Sequence, residues 1–318
     1  MRSWRCSRRF RPFGRAIGGQ SSPLLSRLQC VYCDHLLRRC GQMQWEHLTS
    51  LDFERAVQTC GGVGIIPIGV LEPHGPHLPL GTDMLEAHAV ACLAAEQEPV
   101  IVFPAYPYGI NHESAHLPGS VVFRRELVFA LLENVCDEMA RHGLTKIILL
   151  SGHGGNRFFL PLFIQTLVEK EKPYTVYDAQ IPWPPASEAP KWESEEIGHA
   201  CEAETSTILY LHPELVKMEQ VPPTSFTNLH RNAPLREVGV YSPMDWYEMY
   251  PAMYVGDPSK ATPDKGEVLV RYRVNKLVEV IRRVKADTVT PASQREFLQR
   301  MRHPHAPDIW LRDKDQAG

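Results

Sequence analysis

"KIILLSGHGGN", residues 146–156, decides the fold. Its aliphatic run lacks polar alternation, as in a strand of a parallel sheet buried on both faces. The run breaks into a glycine-rich turn, and "RFFLPLFIQTLVEKEK" (157–172) then takes up helical apolar spacing. Strand, turn and helix follow one another without a gap, which makes a single β-then-α unit.

The same unit recurs to either side. "VGIIPIGVL" (63–71) is a second short apolar run, followed by the Ala/Leu-rich helical stretch "DMLEAHAVACLAAEQE" (83–98). "VIVFPAY" (100–106) reads as a strand, and "RRELVFALLENVCDEMARHG" (124–143) as an amphipathic helix closed by Gly143. "TVYDAQ" (175–180) is the fourth strand. A helix over "LTSLDFERAVQTC" (48–60), with Thr49 or Ser50 as N-cap, precedes them all. Beyond the fourth strand, a Pro/Trp/Glu-containing loop (181–197) leads to a helix in "HACEAETSTILYL" (199–211), and "DKGEVLVRYRVNKLVEVIRRVKAD" (264–287) is a long final helix. Strands alternating with helices predict a three-layer α/β/α fold around a mainly parallel sheet.

Length and charge narrow the field. The chain of 318 residues is 43% hydrophobic and 22% charged, ordinary values for a globular protein. No apolar run approaches the roughly 20 residues needed to cross a bilayer. Nine of the 34 basic side chains but only one of the 37 acidic ones lie in residues 1–42, which leaves 25 against 36 in the rest, a net charge of -11. A body this acidic excludes nonspecific nucleic-acid binding. The Arg-rich, acid-poor residues 1–42 resemble a targeting segment, a disordered extension or sequence upstream of a start at Met43, and are set apart from the fold. Cys30-x2-Cys33 has ligand-like spacing there but no second well-spaced pair, so it is not taken as a zinc site. The predicted organisation is therefore an extension at 1–42, a domain at 43–287 and a peripheral tail at 288–318. Cys60, Cys92, Cys136 and Cys201 sit in apolar surroundings, as buried thiols of a reducing, cytoplasmic compartment would.

In open α/β sheets, ligands bind outside the carboxyl ends of the strands. Three polar, glycine-containing loops leave that edge: "GVLEPHGPHLPLGTD" (69–83), "AYPYGINHESAHLPGS" (105–120) and "SGHGGN" (151–156). Glu72 and His74 are one residue apart and face the same way in extended chain. Asp83 opens a helix, and His153 lies between Gly152 and Gly154, where backbone packs close to a ligand. A carboxylate–imidazole set without thiolate suits Zn, Mn or Fe over Ca or Mg. Two such ions sharing one carboxylate lie roughly 3.5–4 Å apart and make a water strongly nucleophilic. Taken alone, "GHGGN" also suits a phosphate cradle at a helix N-terminus, but only Arg157 is a basic neighbour and the carboxylates would repel phosphate. His77 is read as a supporting residue and His88 as structural.

"EPHGPHLPLGTD" (72–83), "SGHGGN" and "GHACEAETS" (198–206), in this order, resemble the creatininase family of metal-dependent amidohydrolases; "MQWEHLTSLDFERAV" (43–57) and "VGDPSKATPDKGEVLV" (255–270) extend the likeness to about 43–286. The resemblance implies a creatininase-like fold and two divalent transition-metal ions (Zn, Mn or Fe), with no organic cofactor. It implies Glu72, His74, Asp83 and His153 as ligands, Asp83 bridging. Creatininase proper carries a glutamate ligand two residues after the glycine-loop histidine, where this chain has Gly155; Glu204 is the substitute the family pattern suggests. His199 matches the catalytic histidine, a general acid/base at the scissile C–N bond. Cys201 stands where the family's usual glycine would and gets no role; Glu202 is a weaker candidate for support. His77, His112, Gly154, Gly155, Asn156, Trp183 and Trp192 are the remaining candidates for the substrate pocket or its support. The expected activity is hydrolysis of an amide, cyclic amide or formamide of a small molecule by a metal-activated water, with trimming of a modified peptide or a non-catalytic anion-binding module as alternatives. The spacing from these tryptophans to His199 departs from that of creatinine-specific relatives and, with Gly155, argues against assuming creatinine. A homo-oligomer, as large as a hexamer, is implied; nucleic-acid and membrane partners are not.

Overall fold

Four strands, β1 (Val63–Ile68), β2 (Ile101–Val102), β3 (Lys146–Ser151) and β4 (Thr175–Asp178), form one parallel sheet in the order β2-β1-β3-β4. The computed structural model describes residues 43–304; the extension at 1–42, with its Cys30/Cys33 spacing, and residues 305–318 lie outside the described residues. Ile65 pairs with Val102, Ile66 with Leu149 and Ile148 with Tyr177. All of β1 and the middle of β3 are buried, which is why neither shows polar alternation.

The helices are α1 (Ser50–Thr59), α2 (Thr82–Gln97), α3 (Arg125–Arg141), α4 (Asn156–Thr166), α5 (Glu202–Leu211), the short α6 (Ala233–Arg236) and α7 (Asp245–Met249), α8 (Pro263–Ala286) and α9 (Val289–Arg302). The sheet splits its side chains between two cores. Ile66, Ile68, Ile147 and Leu149 face one way, against Ala56 of α1, Leu132 and Met139 of α3, and Phe159 and Phe163 of α4. Val63, Ile65, Ile148 and Leu150 face the other, against Val90 and Ala94 of α2 and Val270, Leu277 and Ile281 of α8. Helices therefore cover both faces, as the alternating pattern predicted. Each fully buried aliphatic side chain stabilises by about 1.5–3 kcal/mol.

Caps and closures follow local chemistry. Thr49 caps α1, accepting from the Asp52 N–H at 3.2 Å, and Gly143 takes φ +92° after α3. Two elements differ from the sequence-based expectation. The strand over 100–106 pairs at only two residues: Phe103 N still donates to Ile65 O at 2.8 Å, but the next donor from β1 would be Pro67, which has no N–H. Tyr106 then returns to donate to the Pro67 carbonyl at 3.0 Å, so the imino nitrogen of Pro67 faces the side where β2 has already ended. Beyond residue 288, expected at the periphery, the chain forms α9 beside β4: Gln294 Nε2 donates to the Tyr174 carbonyl at 2.8 Å, and Leu298 is buried. Cys60, Cys92, Cys136 and Cys201 are buried and in no disulfide. No helix among the described residues is long and apolar enough to cross a membrane.

The connections create a crevice. After β1 the chain turns to α2 on one face; after the neighbouring β3 it turns to α4 on the other. Departures in opposite directions open the sheet edge between them, where open α/β sheets bind ligands.

Candidate metal centre

The first wall of the crevice is the segment leaving β1. Hydrogen bonds from Glu72 N to Leu80 O (3.0 Å) and from Val121 N to Leu71 O (3.0 Å) fix it on both sides. Glu72 and His74 are fully buried beneath. Asp83 occupies the first turn of α2, where Thr82 Oγ1 donates to Pro79 O at 2.8 Å. Gly152, at the end of β3, makes the next step: a Cβ there would collide with the Asp83 carbonyl, so only glycine lets the α2 N-terminus lie against the turn bearing His153.

This packing brings Glu72, His74, Asp83, His153 and Glu204 together. His153 Nδ1 lies 3.1 Å from Glu72 Oε1 and 3.1 Å from Asp83 Oδ2. His74 Nε2 lies 3.0 Å from Asp83 Oδ1 and 3.8 Å from Glu204 Oε2. Asp83 thus turns one oxygen to each imidazole, giving two ligand-like sets, Glu72–Asp83–His153 and His74–Asp83–Glu204. A third set, Glu72–His74–His199, is also compact enough for an ion.

The chemistry of these atoms fits a cation. Glu72 Oε1 and Oε2, His74 Nε2 and Asp83 Oδ2 are buried with no hydrogen-bond partner, so the close approaches above lack hydrogen-bond alignment. Each unsatisfied buried polar atom costs about 1–3 kcal/mol, and two divalent cations, one in each of the first two sets, would give these atoms partners. The tautomers agree. His74 Nδ1 sits 3.1 Å from the Glu72 carbonyl, which can only accept; Nδ1 therefore carries the proton and Nε2 is left for a ligand. Burial opposes charge on His74, yet Asp83, Glu204 and Glu72 hold its pKa up at about 10. His153 is likewise raised despite burial, by Glu72, Asp83 and Glu113, while the two imidazoles hold Asp83 far below the carboxylate range. Without metal, the carboxylates draw protons onto the histidines; ligation requires neutral imidazoles and would release those protons.

The second wall comes from the chain before and within α5. His199 Nε2 donates to the Pro73 carbonyl at 2.8 Å, leaving Nδ1 facing the centre 3.8 Å from Glu72 Oε1. Its ring lies 4.1 Å from that of His74. Ala200 adopts φ +55°, a conformation costing a non-glycine residue about 1–3 kcal/mol. The bend aims its N–H at Glu204 Oε2 (2.5 Å) while the His199 carbonyl accepts from Val255 N (2.8 Å). Burial pushes the Cys201 thiol up to about 12, which leaves it inert at neutral pH. Glu202 points away: it accepts from the Glu193 and Ser194 amides at 3.0 and 2.7 Å and pairs with Lys265 Nζ at 2.5 Å, latching the 193–194 loop to α8.

The other candidates divide. His77 lies one layer out, its Nε2 2.8 Å from Thr205 Oγ1, and burial with the nearby His74 lowers its pKa to about 4. Asn156 is buried and accepts from Ile110 N at 3.1 Å, pinning the 105–120 loop. Gly154 faces open space and His112 is exposed. Neither candidate tryptophan makes a ring contact with His199. Trp183 is half exposed over the Arg273 guanidinium, and Trp192 packs against Cys201, Ala203 and Leu269. Trp246 stands there instead, edge-on to His199 at 6.1 Å, its Nε1–H donating to Met253 Sδ at 3.0 Å. Glu113 was also missed: its Oε1 lies 3.2 Å from His153 Nε2. The one signal for it was that Glu113 is the sole acid of a loop already placed on the rim.

Known proteins align with this arrangement. The family described as creatininase (creatinine amidohydrolase) matches residues 46–281. The creatinine amidohydrolase of Pseudomonas putida is 24% identical over 267 residues, covering 76% of this chain and 95% of that protein. The mycofactocin precursor peptide peptidase of Mycolicibacterium smegmatis is 30% identical over 233 residues, covering 70% and 85%. A crystal structure from Bacteroides fragilis, described as a candidate creatinine amidohydrolase, superposes with a TM-score of 0.63 at 30% identity over 72% of this chain and 91% of its own. With the fold and the paired ligand sets already in place, the match over most of the folded chain leaves one assignment: the chain belongs to the creatininase family of metal-dependent amidohydrolases.

Proposed function

We propose that this hydrolase cleaves a C–N bond in a small amide, cyclic amide or formamide, with Glu72, His74, Asp83, His153 and Glu204 holding two divalent transition-metal ions (Zn, Mn or Fe). The observation that carries the reading is Asp83, whose two oxygens serve two separate carboxylate–imidazole sets. Such a pair of ions, when bound, polarises a carbonyl and makes a water nucleophilic. Glu72 and Asp83 supply negative charge on one side and orient their histidines by proximity. His199, with its Nε2 proton spent on the Pro73 carbonyl, offers Nδ1 to take a proton from the attacking water and return it to the leaving nitrogen. Trp246 stands edge-on against the His199 ring, which is itself buried. Neither tryptophan of the 181–197 loop makes a ring contact with His199, which with Gly155 weighs against creatinine as the substrate.

A second reading, trimming of a modified peptide by the same centre, is favoured by the 30% identity to a precursor peptide peptidase. Exposed Phe158, Leu162, Val238, Tyr241 and Met244 support a homo-oligomer. The buried thiols support a cytoplasmic setting. The test is elemental analysis of protein purified without chelator, followed by a screen of metal-reconstituted protein on cyclic ureas, formamides, small lactams and a C-terminally modified peptide. About two transition-metal ions per chain and turnover of a small amide are expected; absence of metal would refute the hydrolytic centre as drawn, and turnover of the peptide alone would favour the second reading.

A further inference from the structure

We propose that Glu113 is a positioning residue of the centre, entering from the facing loop through space that Gly155 leaves open and fixing His153 as a ligand. The inference rests on the reading of His153 as a ligand given above.

The geometry starts at residue 155. Gly155 has φ -64° and ψ -24°, a helical conformation open to any residue, so backbone freedom does not explain a glycine there. Space does. A Cβ on residue 155 would lie 2.7 Å from Glu113 Oε1 and 2.9 Å from Ile110 O, and would collide with His153 Nε2. As arranged, the Glu113 carboxylate and a side chain at 155 exclude each other.

Glu113 is held in a framework that leaves it little freedom. Asn111 Nδ2 donates to Leu71 O at 3.1 Å and Ser114 Oγ to Asn111 O at 2.9 Å. Ser120 Oγ donates to Ser114 O at 2.7 Å, and Ile110 N to Asn156 Oδ1 at 3.1 Å. The loop is thereby tied both to the Glu72 segment and to the helix that follows His153. From that frame Glu113 Oε1 meets His153 Nε2 at 3.2 Å. A carboxylate accepts, so the proton resides on Nε2, and Nδ1 keeps its lone pair toward Glu72 and Asp83. A carboxylate behind a ligating imidazole fixes ring and tautomer and raises its basicity. The carboxylate that the glycine turn lacks thus arrives from another loop and acts through His153.

The experiment compares full-length wild-type protein with Glu113→Ala and Glu113→Gln, stripped of metal and titrated with Zn(II). Circular dichroism of the metal-free proteins checks that each variant folds. One of two zinc equivalents is expected to bind roughly 10- to 100-fold more weakly in Glu113→Ala, with a smaller loss in Glu113→Gln, whose amide oxygen can still accept the Nε2–H. Nitrogen-15 NMR of the zinc-loaded forms should show the His153 Nε2–H held and slow to exchange with solvent in wild type, and exchanging faster in Glu113→Ala, where its acceptor is gone. Gly155→Ala should weaken the same equivalent, and less than additively when combined with Glu113→Ala, because both disturb one contact. Folded Glu113→Ala that binds both equivalents within twofold of wild type, with an unchanged exchange rate of the His153 Nε2–H, overturns the proposal. If Glu113→Ala does not fold, Glu113→Leu, which fills the same space but cannot accept the Nε2–H, is titrated on the same twofold criterion. A wild-type protein that binds no zinc refutes the underlying centre, whereas normal wild-type binding with an unaffected variant refutes the role of Glu113 alone.

Discussion

The two walls of the crevice are built by different means. Residues 69–83 and 151–156 leave neighbouring strand ends, and backbone hydrogen bonds with one glycine approach set their side chains. Residues 181–199 and 226–256 are irregular chain, held by side chains reaching across long sequence separations. Glu202 grips two amides and Lys265, Glu196 accepts from Asn228 N at 3.2 Å and from Tyr250 Oη at 3.3 Å, and His116 Nε2 donates to Pro251 O at 2.7 Å. The strand-end wall carries the carboxylates and imidazoles of the centre, apart from Glu204. The irregular wall carries His199, Trp246 and the shape of the pocket. A fold that keeps reactive groups on register-fixed chain can alter its substrate by changing the other wall, because the latches there are side chains rather than the backbone ladder.

The comparison breaks most sharply at Asp83. Asp83→Ala removes the group common to both ligand sets, and loss of both bound metals and of turnover is expected, read by elemental analysis and assay. Full metal content in the folded variant would show that the strand-end wall does not hold the ions. His199→Ala should keep metal content while the turnover rate drops roughly 10²- to 10⁴-fold; loss of metal would instead make His199 a ligand and move it across the division. Trp246→Ala should change relative kcat/KM among substrates by roughly 2- to 10-fold with metal affinity unaltered, and a change in metal content would tie the roof to the centre.

The smallest effect is on stability against pH. His74 has its pKa raised from the ordinary 6.5 to about 10 in the metal-free fold. Its contribution is fully present below 6.5 and lost as pH rises through about 10. The melting temperature of metal-free protein should therefore fall across that window. Metal-loaded protein, whose ligating imidazoles bind no proton, should not share that loss, and parallel declines in the two forms would argue that His74 is no ligand.

Legibility in the sequence follows the same division. Glu72, His74, Asp83 and His153 lie within a few residues of strand ends or a helix start, so hydrophobic pattern and turn chemistry together located them. Glu113 escaped because its role depends on an imidazole 40 residues away and on a side chain that residue 155 lacks. Trp246 escaped because nothing periodic predicts where residues 213–257 fold, whereas Trp183 and Trp192 were favoured by nearness in sequence and are placed elsewhere in space. The short β2 reflects a proline of the neighbouring strand, Pro67, whose missing N–H cannot be read from the run over 100–106 itself. Helix α9 has a single buried residue, Leu298, too little apolar pattern to announce it.

The burial of the centre bears on how it would acquire its ions. Glu72 and His74 are completely enclosed, Asp83 and His153 nearly so, while the Glu204 side chain keeps 21% of its surface open to solvent. Ions held this way would enter and leave past Glu204, which makes one side chain of α5 both ligand and doorway to a centre otherwise built at the strand ends.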